Sequence, residues 1–212
     1  MQRRTFLAGA TATLAAVLGI GSSPALAAKV SLDDVLHDPA TPEGGNPKGD
    51  LTIVAFADYN CPFCKKAEPD LDRAVREDGN IRLVYKDWPI LTQASVYGAR
   101  LALAAHYQGA YERAHHALMT MPGRAVSHDD MQQAIAAAGV DMPRLNADLE
   151  AKKSDITALL ARNMDQADAL GLQGTPTYLI GPLITSTLDY DGFRAAIAEA
   201  RQRQASSSGN GK

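Results

Sequence analysis

Apolar positions along the chain follow two periods. Leu51-Thr52-Ile53-Val54-Ala55-Phe56 is a short run with β-branched residues, which predicts a buried strand, and Asp58-Tyr59-Asn60 breaks it. From Cys61 the period becomes helical: Ala67, Leu71 and Val75 recur at four-residue spacing until Gly79-Asn80. Three further sets keep helical spacing: Val96, Leu103 and Tyr107; Met131, Ile135 and Ala138; Ile156, Leu160 and Met164. Pro122-Gly123, Ser127-His128-Asp129-Asp130, Gly139 and Gly171 punctuate this block as loops, caps and stops. Strands resume at Thr177 to Ile180 and Leu183 to Thr187. A last helix from about Asp191 to Arg203 turns Phe193 and Ile197 inward, and Ala205 to Lys212 reads as a flexible tail.

The first 27 residues stand apart. Arg3 and Arg4 precede an uncharged apolar run from Phe6 to Ile20, and Ala25-Leu26-Ala27 supplies a small-x-small cleavage pattern, so this stretch is predicted to be a cleaved export signal. Gly9, Gly19 and Gly21 and the shortness of the run argue against a membrane anchor. Arg3-Arg4-Thr5-Phe6-Leu7 resembles the twin-arginine signal, and both the twin-arginine and the general secretory route stay open.

Composition narrows the functional classes. The chain has 212 residues, 46% hydrophobic and 21% charged, which suits one elaborated globular domain. Its 21 basic residues against 24 acidic give a net charge of -3, so no basic excess exists to follow a phosphate backbone and no nucleic-acid partner is expected.

Only two cysteines occur, Cys61 and Cys64. In an oxidising compartment such a pair normally forms a disulfide, but so short a loop removes little chain entropy, so reactivity is the better explanation of the pair than stapling. Cys61 falls at the N-cap of the predicted helix and Pro62 at its first position, where a missing N–H costs nothing. Unpaired amides and the positive helix end then favour a Cys61 thiolate, which makes it a nucleophile and a good leaving group, with Cys64 as resolving thiol. Pro69 is expected to kink the helix.

Phe56-Ala57-Asp58-Tyr59-Asn60-Cys61-Pro62-Phe63-Cys64-Lys65 closely resembles the active-site segment of the DsbA-like branch of the thioredoxin superfamily. Gly174-Thr175-Pro176-Thr177-Tyr178-Leu179-Ile180-Gly181 resembles the cis-proline loop and following strand of that family, and Arg82 to Ile90 its second strand and exit. The resemblance runs from about Ser31 to Arg203. It implies an α/β protein, a thioredoxin fold with a helical insertion between the CxxC half and the cis-proline half. The expected organisation is an N-terminal arm over 28–50, a thioredoxin-like domain from 51–90 and 173–203, an inserted helical subdomain over 91–172 and a tail over 204–212. By the same resemblance Cys61 and Cys64 are catalytic, Pro62, Phe63 and Pro176 support the active site, and Thr175 with Pro176 binds the backbone of an extended substrate peptide.

Two departures from the family pattern bear on chemistry. Ala55 stands where many relatives carry a buried acid, and Phe63 where the strongest oxidants have histidine. A Cys61 pKa less depressed than the value of about 3.5 reached in DsbA is therefore expected, with a less oxidising potential.

The principal expectation is an extracytoplasmic oxidoreductase acting on exported client proteins, recycled by a membrane partner of DsbB type, with no cofactor beyond the Cys61–Cys64 disulfide. Two alternatives accompany it. The same fold kept reduced by a membrane donor would act as a reductase or isomerase, towards which Thr175 leans; the short stretch before the first strand leaves no room for an isomerase dimerisation domain, so a monomer is expected. A chaperone holding Cu(I) between the two thiolates is the other. Of the remaining residues, His106, His115 and His116 read as surface or interface histidines, Trp88 as a core or groove-wall contact, Lys65 and Lys66 as solvated, and Asp58 as a turn initiator.

Overall fold

The computed structural model describes residues 30–123 and 127–209; the predicted export signal lies outside them. The elements run α1 (Leu32–Leu36), β1 (Glu43–Gly45), β2 (Leu51–Ala57), α2 (Pro62–Asp78), β3 (Ile81–Asp87), α3 (Gln93–His106), α4 (Tyr111–Met119), α5 (His128–Ala137), α6 (Met142–Ala151), α7 (Lys153–Ala169), β4 (Thr177–Ile180), β5 (Leu183–Thr185) and α8 (Tyr190–Gly209). One sheet takes the order β1-β3-β2-β4-β5. Its central pair, β2 and β3, is parallel with α2 as the connection, and the remaining pairs are antiparallel.

Both faces of the sheet are covered, which explains why β2 reads as a continuous apolar run rather than an alternating one. Leu51, Ile53 and Ala55 join Leu71 of α2, Leu101 of α3 and Phe193 of α8 in one core. Val54 and Phe56 point the other way, onto Val35, Val84, Trp88 and Ala167. The five helices α3 to α7 lie between β3 and β4 in the chain and supply the predicted helical insertion.

The N-terminal arm contributes structure that hydrophobic periodicity does not reveal. Arg82 on β3 donates to Leu36 O at 2.9 Å and pairs with Glu43, Gln166 of α7 donates to Asp34 O at 3.1 Å, and the buried Lys86 ammonium donates to Thr41 Oγ1 at 3.0 Å. Strand β1 needs glycine at position 45, where φ is 66° and a Cβ would press on the Ile81 carbonyl oxygen.

Two expectations require correction. Helix α8 continues past Arg203 to Gly209, where a flexible tail was expected. Ser206 and Ser207 donate to Gln202 O and Arg203 O at 2.9 and 2.8 Å, so these serines are satisfied by the helix itself. Strand β5 also ends at Thr185 rather than Thr187. Helix α2 runs through Pro69 as a single element.

Candidate active site

Strand β2 delivers the chain to a loop held by Asp58. Its buried carboxylate accepts the Asn60 N–H at 2.8 Å and the Leu91 N–H at 3.0 Å, so it closes the turn and also ties the loop to the segment after β3. Cys61 N–H donates to Asp58 O at 3.0 Å, and Asn60 Nδ2 donates to Thr92 Oγ1 at 2.8 Å. The residues expected to turn the chain therefore fix the position of the first cysteine.

Cys61 is the N-cap of α2, with extended backbone at φ -79° and ψ 117°, and Pro62 occupies the first turn. Its sulfur accepts the Cys64 N–H at 3.3 Å. On the other side it lies 3.2 Å from Thr175 O, with the S–H as donor, and the Thr175–Pro176 peptide that follows is cis. Two segments 114 positions apart thus meet at one sulfur. Phe63 stays exposed beside them.

The two thiols differ sharply. The Cys64 thiol is the strongest influence on Cys61; with Thr175 and the N–H groups of Cys64 and Phe63 it outweighs desolvation and holds Cys61 at about 6. Burial pushes Cys64 upward, and its bond with Cys61 adds to the rise. One thiol therefore ionises near neutrality while its neighbour stays protonated.

Of the flanking residues, Trp88 and His116 sit as their sequence context implied, whereas Lys65 and His115 do not. Lys65 is not free in solvent: its ammonium donates to Met121 O at 2.9 Å and Gly123 O at 3.0 Å. Trp88 is buried, edge-on to Phe56 at 6.0 Å, with its indole N–H 3.4 Å from Met164 Sδ. His115 is the clearest correction. It is buried rather than on the surface, with Nε2 2.8 Å from Glu68 Oε1 and Nδ1 2.9 Å from the Tyr59 hydroxyl. His116 keeps an exposed side chain 3.4 Å from Asp72, and His106 is half-buried beside Tyr111.

Glu68, Tyr59, Asp87 and Tyr111 complete a buried polar cluster that the sequence reading passed over. Tyr111 donates to Asp87 Oδ1 at 3.1 Å, and burial pushes the Asp87 carboxyl up to about 6. Desolvation opposes protonation of His115, but Glu68, Asp87 and Asp72 together leave its pKa raised. A sequence signal for Glu68 exists: it lies four residues after Cys64, on the same apolar stripe as Leu71 and Val75. Among the described residues no group of three or more His, Cys, Asp or Glu side chains is placed to hold a metal ion.

A family model described as thioredoxin matches residues 37–199. The chain belongs to the thioredoxin family. Its solved relatives include an oxidoreductase and a thiol-disulfide exchange protein. A thioredoxin-like oxidoreductase from Silicibacter pomeroyi is 38% identical, with a TM-score of 0.75 over 82% of this chain and 99% of that one. The thiol-disulfide exchange protein alpha-DsbA2 from Wolbachia pipientis is 27% identical, with a TM-score of 0.74 over 79% of this chain and 90% of that one. The chain is also 28% identical over 160 residues to the Na(+)/H(+) antiporter NhaA 1 of Salinispora arenicola, which covers 74% of this chain and 24% of that protein. It thus spans about a quarter of the length of the first curated relatives it matches. No helix among the described residues of this thioredoxin-family chain is long and apolar enough to cross a membrane.

Proposed function

We propose that this thioredoxin-family protein is an extracytoplasmic thiol-disulfide oxidoreductase of exported client proteins, with Cys61 as nucleophile and Cys64 as resolving thiol. The observation that carries the reading is the asymmetry of the pair: Cys61 is held at about 6 at a helix N-terminus, while the buried Cys64 is raised. A client thiolate attacks Cys61 Sγ, the Cys61–Cys64 bond breaks, and Cys64 leaves with the electron pair. A second client thiolate then attacks the client sulfur of the mixed disulfide and expels the Cys61 thiolate. The client is oxidised by two electrons and the pair reduced, with no cofactor beyond the disulfide itself. Thr175 and Pro176, which flank the Cys61 sulfur, receive the client backbone, and Pro62 and Phe63 shape the approach.

Replacement of one cysteine at a time tests this. Cys61→Ser is expected to abolish exchange, and Cys64→Ser to accumulate client proteins linked through Cys61; an absence of any such adduct on non-reducing gels would overturn the client mechanism.

A second reading, reductase or isomerase, is favoured by one observation. A Cys61 pKa of about 6 lies nearer the thioredoxin value of about 7 than the DsbA value of about 3.5. Trapping thiols by alkylation at the moment of lysis separates the two. Oxidised Cys61–Cys64 supports an oxidase recharged by a membrane partner of DsbB type, and reduced cysteines support a reductase or isomerase fed by a membrane electron donor.

A further inference from the structure

The exchange chemistry leaves Cys64 with a proton to move. Its thiol is buried and kept protonated by burial, so it must give up that proton when its sulfur attacks Cys61, and regain one after leaving the disulfide. The groups around its sulfur are Cys61, the Asp58 backbone and Thr175. Once Cys61 is bonded to a client, none of these is a base near neutral pH.

Glu68 lies one helical turn further along α2. Residues at this spacing share a helix face with Cβ atoms about 5–6 Å apart, and both side chains are buried. Tyr178, buried on β4, feels the charges of Glu68, Cys64 and Cys61 together, so all three lie within electrostatic reach of one buried ring. Glu68 is in turn bonded to His115 at 2.8 Å. His115 faces Tyr59 from the active-site loop, Glu68 and Asp72 from α2, Tyr85 and Asp87 from β3, and Tyr111 from its own helix. It also lines an open cleft of about 760 Å³ whose walls include Asp72, Arg76, Tyr85, Glu112 and His116. A run of proton-carrying groups therefore joins solvent in the cleft to the helix face that bears Cys64.

We propose that the Glu68–His115 pair is the proton-exchange group of Cys64, with the cleft between α2, β3 and α4 as its route to solvent. When Cys64 resolves a mixed disulfide, its S–H bond breaks and its sulfur bonds to Cys61 Sγ. The bond from Cys61 to the client sulfur breaks, the client leaves as thiolate, and the proton passes to the pair. In the opposite direction the pair returns a proton to the departing Cys64 thiolate. This inference rests on the exchange reading above.

The test mixes reduced protein with oxidised glutathione, which is the oxidant, and quenches with acid at intervals between pH 5 and 9. Mass analysis then separates formation of the Cys61–glutathione adduct from its resolution by Cys64. Glu68→Gln is expected to slow resolution roughly 100-fold near neutral pH and to make it depend more steeply on hydroxide, while the adduct forms at close to the wild-type rate. An unchanged resolution rate and pH profile overturns the inference. So does faster resolution, which would make Glu68 merely a charge that repels the Cys64 thiolate. If Glu68→Gln does not fold, His115→Gln is held to the same outcomes. Failure of the wild-type protein to form any Cys61 adduct overturns the exchange reading itself, and this inference with it.

Discussion

At the scale of single residues, Cys61 is governed by its hydrogen-bond partners. The Cys64 thiol leads them, ahead of Thr175 and the amides of Cys64 and Phe63. Iodoacetamide reactivity of Cys61 in the reduced protein is therefore expected to rise with pH through a midpoint near 6 and to fall about tenfold per unit below it. Cys64→Ala removes the leading donor and should move that midpoint upward; a midpoint that stays in place would show that the helix end alone sets it. Cys61, Cys64 and Pro62 were legible in the sequence because their meaning lies in local spacing and helix capping. Glu68 and His115 were not, because a carboxylate and an imidazole 47 positions apart acquire a role only when α2 and α4 pack together. Burial of such a pair also makes it costly to break: removing one partner strands the other charge away from water.

Among the elements, α2 is the most completely specified by its own sequence. Cys61 caps its start, Pro62 enters without losing a hydrogen bond, and Gly79 ends it in the left-handed conformation at φ 71° with its N–H bonded to Val75 O. A Cβ there would meet nothing within 4 Å, so the cost of Gly79→Ala is conformational alone. Urea unfolding should show a loss of about 1 kcal/mol with an unchanged slope. Undiminished stability would contradict a left-handed helix end. The stripe of Ala67, Leu71 and Val75 and the run at Leu51 to Phe56 made the central strand and helix readable. Glu43-Gly44-Gly45 carries no periodic apolar signal, since β1 is held by backbone pairing to β3 and by side chains that reach it from elsewhere, so the arm concealed a strand. Serines near the end of α8 gave the opposite error, because their turn-like composition says nothing of hydrogen bonds back to the preceding helical turn.

For the whole molecule, ionisation of one thiol couples redox state to stability. The folded reduced protein carries a Cys61 thiolate from about pH 6, whereas the unfolded chain does so only near the ordinary value of 9.0. Between these values folding releases a proton, so Cys61 stabilises the reduced protein increasingly as pH rises, and that contribution is lost as pH falls through 6. The disulfide form has no such group. The urea midpoint of reduced minus oxidised protein is therefore expected to grow from pH 6 to pH 8, before ionisation of Cys64 in the unfolded chain opposes it; a flat difference would refute the coupling. The overall architecture was legible because two short motifs far apart in the chain each named one half of it. The packing of the five inserted helices was not, because amphipathic spacing gives a helix its inner face without naming its neighbour.

Trp88, the one tryptophan of the chain, is wedged edge-on against Phe56 of β2 with its indole N–H towards Met164 of α7. Emission excited on the long-wavelength edge of the indole band, where the seven tyrosines do not absorb, thus has one source at a known depth. A red shift during denaturation records α7 parting from the sheet, whereas fraying at the far end of α8 leaves the spectrum unchanged.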